Sequence, residues 1–311
     1  MSVASKAAKN TAITIVGPAM RHVLNGLIPV DKPTGVTSRG VVDLVARALG
    51  MKAVGHAGTL DPLAAGVVVV CVGHATKLVE YVHELPKSYA SAFLLGRSSP
   101  SDDFETPIEV EESPVVPTRD DVETALAGFR GEILQRPCDY SAVHVDGKRA
   151  YRLARKGREI VLEPKRVRID RLEITGFEWP RLALDVVCSS GTFIRAIGRD
   201  LAEALGTKAV MESLVRTAVG PFTQALSLPL EAITPEAARA ALLPCAAAVS
   251  HLERVTLAGD QLALAIRGGL VAACSPAPAL AAVDPTGDLV GILKLHESGS
   301  HRLRPNFHGL G

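Results

Sequence analysis

Asp61 is the residue whose surroundings best suit chemistry. It lies in Gly55-His56-Ala57-Gly58-Thr59-Leu60-Asp61-Pro62-Leu63-Ala64-Ala65-Gly66, directly ahead of the apolar run Val67-Val68-Val69-Val70-Cys71-Val72. The glycines permit a sharp bend, Pro62 fixes its own φ, and Pro62 biases Asp61 toward an extended backbone. A carboxylate on a shaped loop at the rim of a rigid strand is well placed to act as a nucleophile. Taken alone, the loop also fits an Asx-turn, in which the carboxylate only closes the bend. A second charged residue bears on the choice. Arg195 follows Ser189-Ser190-Gly191-Thr192-Phe193-Ile194 and falls in the first turn of a helix with Ile194, Ile197, Leu201 and Leu205 along one face. A cation there opposes the helix macrodipole at a cost of up to about 1 kcal/mol. The sequence therefore predicts an anionic partner for Arg195, and Asp61 is the candidate.

The elements that must carry these residues are legible in outline. Val67 to Val72 is short, β-branched and uncharged, the pattern of a buried strand. Leu27 to Val30 is a second strand, followed by the turn Asp31-Lys32-Pro33-Thr34-Gly35. Thr37 or Ser38 caps a helix with Val41, Val45, Ala48 and Leu49 inward, and Gly50 ends it. Thr76 is a candidate cap for the next apolar-periodic segment, and Tyr89 to Leu95 is extended. Thr118 opens a helix with Val122, Ala125, Leu126 and Phe129 inward. Val167 to Ile174 and Leu182 to Cys188 are strands; Thr192 caps the Arg195 helix and Gly206 terminates it. Thr234 to Val249 reads as a linker-like helix. Val255 to Gly311 reads as a small β-rich unit with strands at Val271 to Cys274, Leu280 to Val283 and Leu289 to Leu295.

Composition sets the outer bounds. A chain of 311 residues with 47% hydrophobic and 22% charged residues can bury a core and suggests about two domains. Its five cysteines form no C-x-x-C pair, so neither a zinc site nor a disulfide framework is indicated, and a reduced cytoplasmic setting fits. No apolar run approaches the length needed to cross a bilayer. Residues 1–24 are expected to be a flexible extension, with Met20 as an alternative start; a signal peptide there is poorly formed. The net charge of +1 conceals segregation. Ten Lys or Arg between Lys148 and Arg171 meet three acids, while nine acids between Asp102 and Glu123 meet only Arg119. The basic block is either an electrostatic footprint for a polyanion or a solvated helix face. His296, His301 and His308 suggest either a metal or, the favoured reading, a basic solvated tail.

Four spaced motifs resemble the bacterial tRNA pseudouridine-55 synthases of the TruB type. They are Asp31-Lys32-Pro33-Thr34-Gly35-Val36-Thr37-Ser38, the His56 to Ala64 loop, the segment Tyr140-Ser141-Ala142 through Asp146-Gly147-Lys148-Arg149 to Ala154-Arg155-Lys156-Gly157, and Gly191-Thr192-Phe193-Ile194-Arg195. The chain departs from the family pattern at Phe193, where a tyrosine is usual, at Val215, where an arginine is usual, at Cys138, where a second proline is usual, and across Arg97 to Thr106, which lacks the usual threonine-rich turn. That turn is expected to be an altered hairpin of open role.

The resemblance implies an α+β fold: a pseudouridine synthase-like mixed, largely antiparallel sheet flanked by helices, spanning 25–235, plus a small C-terminal β-rich PUA-like domain at 250–311. It implies isomerisation of uridine 55 in the tRNA T-stem-loop by base flipping, without cofactor or metal, by a monomer. Asp61 would be the nucleophile, attacking uracil C6 or ribose C1′. Arg195 would be its bidentate cation, and Tyr89 would stack on the uracil. Leu214 and Phe193 would wall the base, and His56 would fill the space it leaves. Lys32, Lys77, Lys148 and Arg149 would hold phosphates, with Tyr151 nearby, on a mobile RNA-gripping insertion at 135–165. The rival is a non-catalytic RNA-binding or RNA-folding protein on the same scaffold. Retention of Asp61, Tyr89 and Arg195 together speaks against it, because binding a polyanion needs no carboxylate.

Overall fold

The valine run forms the Ala65–Val72 strand, and every residue from Val67 to Val72 is fully buried. Strand side chains alternate between faces, so an apolar residue at every position requires cover on both. Val68, Val70 and Val72 enter one core with Val41, Val45, Ile194 and Ile197. Val67, Val69 and Cys71 enter a second with Leu78, Val82 and Val249. Each fully buried valine contributes roughly 1.5–3 kcal/mol. The computed structural model describes residues 24–141, 143–145, 148–155, 161–272 and 275–307. The expected N-terminal extension lies outside them except for Leu24, as do Cys274 and His308.

The main sheet runs Leu228–Pro229, Gly26–Lys32, Ala65–Val72, Ala209–Val219, Lys87–Leu95, Arg181–Cys188, Lys165–Glu178, Gly131–Gln135 in spatial order. Two of its pairings are parallel, Gly26–Lys32 with Leu228–Pro229 and Ala65–Val72 with Ala209–Val219; the others along this path are antiparallel. The mixed, largely antiparallel sheet flanked by helices is thus present. Ala209–Val219 is central to it, although its sequence offers Glu212, Ser213 and Arg216 inside the run and so gives weak strand periodicity. The Ser38–Leu49 helix is capped by the Thr37 hydroxyl and closed by Gly50 in the left-handed region. The Arg119–Leu126 helix carries a full capping box between Thr118 and Asp121.

Three local expectations give way. Thr76 donates its hydroxyl to Gly73 O inside a 3-10 turn, and the helix that follows, Val79–Glu84, has no side-chain cap. Thr192 likewise turns back to Ser189 O, and the N-cap of the Ile194–Ala204 helix is Phe193. The Gln135 side chain secures that end by accepting from Phe193 N–H (2.8 Å) and donating to Phe193 O (3.1 Å). The Thr234–Val249 segment is no linker. Its Pro235–Ala240 helix buries Ala238, and Leu27 and Leu243 exchange backbone hydrogen bonds of 3.0 and 2.8 Å.

The second unit is a five-stranded curled sheet, in order Arg254–Thr256, Ala279–Val283, Leu289–Leu295, His301–Asn306, Leu270–Val271, with the Gly259–Ile266 helix against it. Ala281, Ile292 and Phe307 join the core behind the valine strand. Lys294 to Glu80 (3.1 Å) and His251 to Glu84 (2.9 Å) fasten its rim to the Val79–Glu84 helix. His301 is not part of a solvated tail. It is fully buried with Nε2 on Ala277 O, while exposed His296 turns to Ser298.

One close approach sets the depth of the Ile194–Ala204 helix. A Cβ on Gly198 would lie 2.2 Å from the ring of Phe93 on the Lys87–Leu95 strand. The helix therefore rests on the sheet as only glycine permits.

Candidate active site

Pairing between the parallel strands Ala65–Val72 and Ala209–Val219 is confined to Val215 with Ala65 and Arg216 with Gly66. The loop from Gly58 to Ala64, which joins the paired strands Val54–Ala57 and Ala65–Val72, lies at this point. Here a cleft of about 390 Å³ opens, within the range of small-molecule sites. It is lined by Asp61, Tyr89, Arg195, His56, Leu214 and Phe193, among others. Six residues singled out from sequence thus converge from four separate stretches of chain.

Arg195 is buried, and its guanidinium is divided between two carboxylates. Nη2 reaches Asp61 Oδ2 at 3.2 Å and Tyr140 O at 2.9 Å. Nη1 reaches Asp103 Oδ2 at 3.1 Å and Ser101 O at 2.7 Å. The contact to Asp61 is single-point, not the expected bidentate fork. The reason is that Asp103, 5% exposed, takes the other arm, whereas the Asp61 side chain is 50% exposed. Asp103 belongs to the Arg97–Thr106 turn whose role was open in the sequence. Ser99 and Ser101 both donate to Asp103 O, and the Asp103 carboxylate accepts from Glu105 N–H. The altered turn is therefore the seat of Arg195. The neighbouring Asp102, at φ +59°, pairs with Arg199 at 3.2 Å. Two adjacent acids, Asp102 and Asp103, and two arginines one helical turn apart, Arg195 and Arg199, were the available signal.

Arg216 was also missed. It is 2% exposed and donates Nε–H to Val67 O (2.7 Å), with its two other arms on Gly58 O (3.2 Å) and Thr59 O (3.4 Å). It thereby ties the acid-bearing loop to the valine strand. Arg216 is also the register partner of Tyr89 across the sheet. Burial pushes the Tyr89 phenol above its ordinary pKa, with the Arg216 charge opposing. The phenol is therefore neutral at physiological pH. Its sequence signal was its place in Leu214-Val215-Arg216-Thr217, a stretch that resembles the family pattern.

Lys32 is not a phosphate ligand in this arrangement. It is fully buried, and its ammonium donates to Ala64 O (2.5 Å), Val36 O (2.8 Å) and Pro33 O (3.0 Å). Three bonds use all three protons. Burial lowers its pKa to about 8, against the opposing pull of Asp61. Lys32 and Arg216 thus clamp the Asp61 loop from two sides. His56 sits on the Val54–Ala57 strand; burial first, then the Arg216 charge, depresses its pKa, so the ring is neutral at pH 7. Leu214, 8% exposed, forms the apolar wall.

The remaining candidates lie elsewhere. Lys77 is exposed in the Gly73–Leu78 turn, outside the cleft. Lys148 and Arg149 form a two-residue strand paired with His144 and Val145. Tyr151 lies in the adjacent helical turn Ala150–Ala154, with the guanidinium carbons of Arg152 and Arg155 at 5.9 and 5.5 Å from its ring centroid. The basic block is partly neutralised from distant sequence: Arg155 pairs with Glu105, and Arg166 with Glu132. Among the described residues, no group of three His, Cys, Asp or Glu could hold a metal ion, and no helix is long and apolar enough to cross a membrane.

Comparison with known proteins decides the family. Residues 46–194 match the TruB family pseudouridylate synthase N-terminal domain, and residues 195–250 match the tRNA pseudouridylate synthase B C-terminal domain. The tRNA pseudouridine synthase B of Symbiobacterium thermophilum is 44% identical over 79% of this chain and 82% of its own length. That of an Arthrobacter species is 38% identical over 87% and 93%. The chain belongs to the TruB family of pseudouridylate synthases. It is accordingly an isomerase, which sets aside the non-catalytic rival. Likeness of fold to a solved structure extends beyond the two matched segments. A crystal structure of a Cbf5-Nop10-Gar1 complex superposes with a TM-score of 0.72 at 24% identity, covering 94% of this chain and 87% of that one. Such coverage includes the curled C-terminal sheet.

Proposed function

We propose that this TruB-family enzyme converts uridine 55 of the tRNA T-loop to pseudouridine, with Asp61 as nucleophile. The observation that carries the reading is the half-exposed Asp61 carboxylate, held by buried Arg195 at 3.2 Å in a cleft floored by Tyr89 and Leu214. The substrate follows the curated relatives, which are named tRNA pseudouridine synthase B. Isomerisation exchanges an N-glycosidic for a C-glycosidic bond, so the uracil must be detached, turned and rejoined. A carboxylate can hold one fragment covalently in the interval, through uracil C6 or ribose C1′. Arg195 holds the acid in place through a charge-assisted contact of 3.2 Å.

The target base leaves its stack at a cost of a few kcal/mol. Stacking on Tyr89 returns about 1–3 kcal/mol. Leu214 and Phe193 flank the base, and His56, neutral and apolar-faced, takes the vacated space. Lys77, Lys148 and Arg149 hold phosphates, with Tyr151 and Arg152 on the same insertion at 135–165. Ten basic residues in one block support this. The 25–235 unit performs the chemistry and the 250–311 unit extends the RNA surface. The reaction needs no cofactor and proceeds in a cytoplasmic monomer. Incubation with a uridine-containing T-stem-loop, followed by nucleoside analysis, tests the proposal. Pseudouridine is expected with the natural chain and not with Asp61→Asn; product from both, or from neither, overturns it.

A further inference from the structure

The walls of the cleft contain two buried polar atoms with no hydrogen-bond partner among the described residues: His56 Nδ1 and Ser141 Oγ. Ser141 is the more informative. It is 4% exposed, yet its hydroxyl caps no helix and closes no turn. Its backbone is fixed on both sides. The preceding carbonyl, Tyr140 O, accepts from Arg195 Nη2 at 2.9 Å, and Ser141 O accepts from Tyr151 N–H at 3.0 Å. The hydroxyl is therefore held one residue from the guanidinium that grips Asp61. A buried hydroxyl without a partner is unfavourable, and native proteins satisfy nearly all such groups. Among the described residues nothing repays this one. A ligand filling the cleft can.

The hydroxyl both donates and accepts. The uracil edge offers two carbonyl acceptors and one N–H donor, and the ribose offers a 2′-hydroxyl that is both. We propose that Ser141 is a substrate-binding residue, its hydroxyl hydrogen-bonding the extruded uridine beside the Asp61–Arg195 pair. This deepens the function proposed above and rests on it. The residue also ties the Tyr151 helical turn to the reacting centre, since Tyr151 N–H donates to its carbonyl.

The experiment compares the natural chain, Ser141→Ala and Ser141→Cys on T-stem-loops carrying uridine or 2′-deoxyuridine at the target, with melting temperatures recorded for each protein. Removing an unpartnered hydroxyl should leave the melting temperature of Ser141→Ala unchanged or raised. Its kcat/KM on uridine should fall about 2- to 12-fold, the worth of one neutral hydrogen bond, with partial recovery in Ser141→Cys. Losses from Ser141→Ala and from the 2′-deoxy target that fail to multiply assign the bond to the ribose hydroxyl; losses that multiply assign it to the base edge. Unchanged kcat/KM in Ser141→Ala overturns the inference, as does a fall in melting temperature that accounts for the lost activity. An inactive natural chain would instead overturn the function on which the inference rests.

Discussion

Arg195 and Asp103 form a buried ion pair at 3.1 Å, whereas Asp61, the other carboxylate on the same guanidinium, is half exposed. Under the proposed function, supporting the arginine and reacting with substrate fall to different acids. Deleting Asp103 leaves the buried Arg195 charge with only the half-exposed Asp61 to balance it. Asp103→Asn should therefore cost about 3–5 kcal/mol of stability and lower kcat as Arg195 drifts. Denaturant melts and single-turnover assays on the same preparation check both effects.

Asp61→Asn should behave in the opposite way. A half-exposed ion pair is worth about 0–1 kcal/mol, so stability should barely change while pseudouridine formation is lost. The pairing of an intact unfolding curve with absent product is the expected result. A large drop in stability would mean that Asp61 is mainly a structural acid.

Arg216 should resist conservative replacement. Its planar fork serves Val67 O, Gly58 O and Thr59 O at once, and a lysine's point charge cannot follow that geometry. Arg216→Lys should cost about 1–3 kcal/mol through unsatisfied carbonyls. It should also lower kcat, because the acid-bearing loop loses one of its two clamps. Hydrogen exchange of the 58–64 amides, faster in the variant, would localise the effect.

Alkaline pH should stabilise the fold while weakening the enzyme. Burial holds the Lys32 and Lys87 ammonium groups near pKa 8, below their ordinary 10.5. Between those values the unfolded chain binds more protons, so these groups make stability rise with pH from about 8 to 10.5. Over the same window Lys32 loses the charge that grips Ala64 O beside Asp61, and kcat should decline. Melting and rate profiles from pH 7 to 10 test this, with Lys32→Met expected to lose about half of the stability slope that these two lysines produce.

Salt should weaken RNA binding less steeply than ten cations would suggest. Arg155, Arg166, Arg168 and Arg171 already face carboxylates. Arg152, beside Tyr151, should reduce the salt slope by about 1 when replaced by alanine. A slope unchanged by Arg152→Ala would remove it from the phosphate surface.

Asp61 and Arg195 stood out by local logic, a proline-shaped loop and a cation at the wrong helix end, whereas Tyr89 stood out only through the pattern the chain shares with the TruB family. Asp103 did not stand out. Its importance arises from meeting Arg195 across the fold, and it sits in a turn whose sequence departs from the expected pattern. Arg216 was hidden for a related reason. A cation in a strand reads as an exposed edge residue until the sheet order shows the strand to be central. Lys32 was misread because sequence reports a charge and not whether its protons are already spent on carbonyls. The valine strand was simple to find, but its second face was not assigned, since the C-terminal sheet that helps cover it lies some two hundred residues away.

Gly198 carries a last consequence. The Ile194–Ala204 helix lies against Phe93 only because that position has no side chain, and Arg195 projects from the preceding turn. A single added methyl would lift the helix like a wedge under a lever, and the arm that steadies the reacting acid would swing out of register with it. The accuracy of the chemistry is thus governed from beneath, by an atom the protein leaves out.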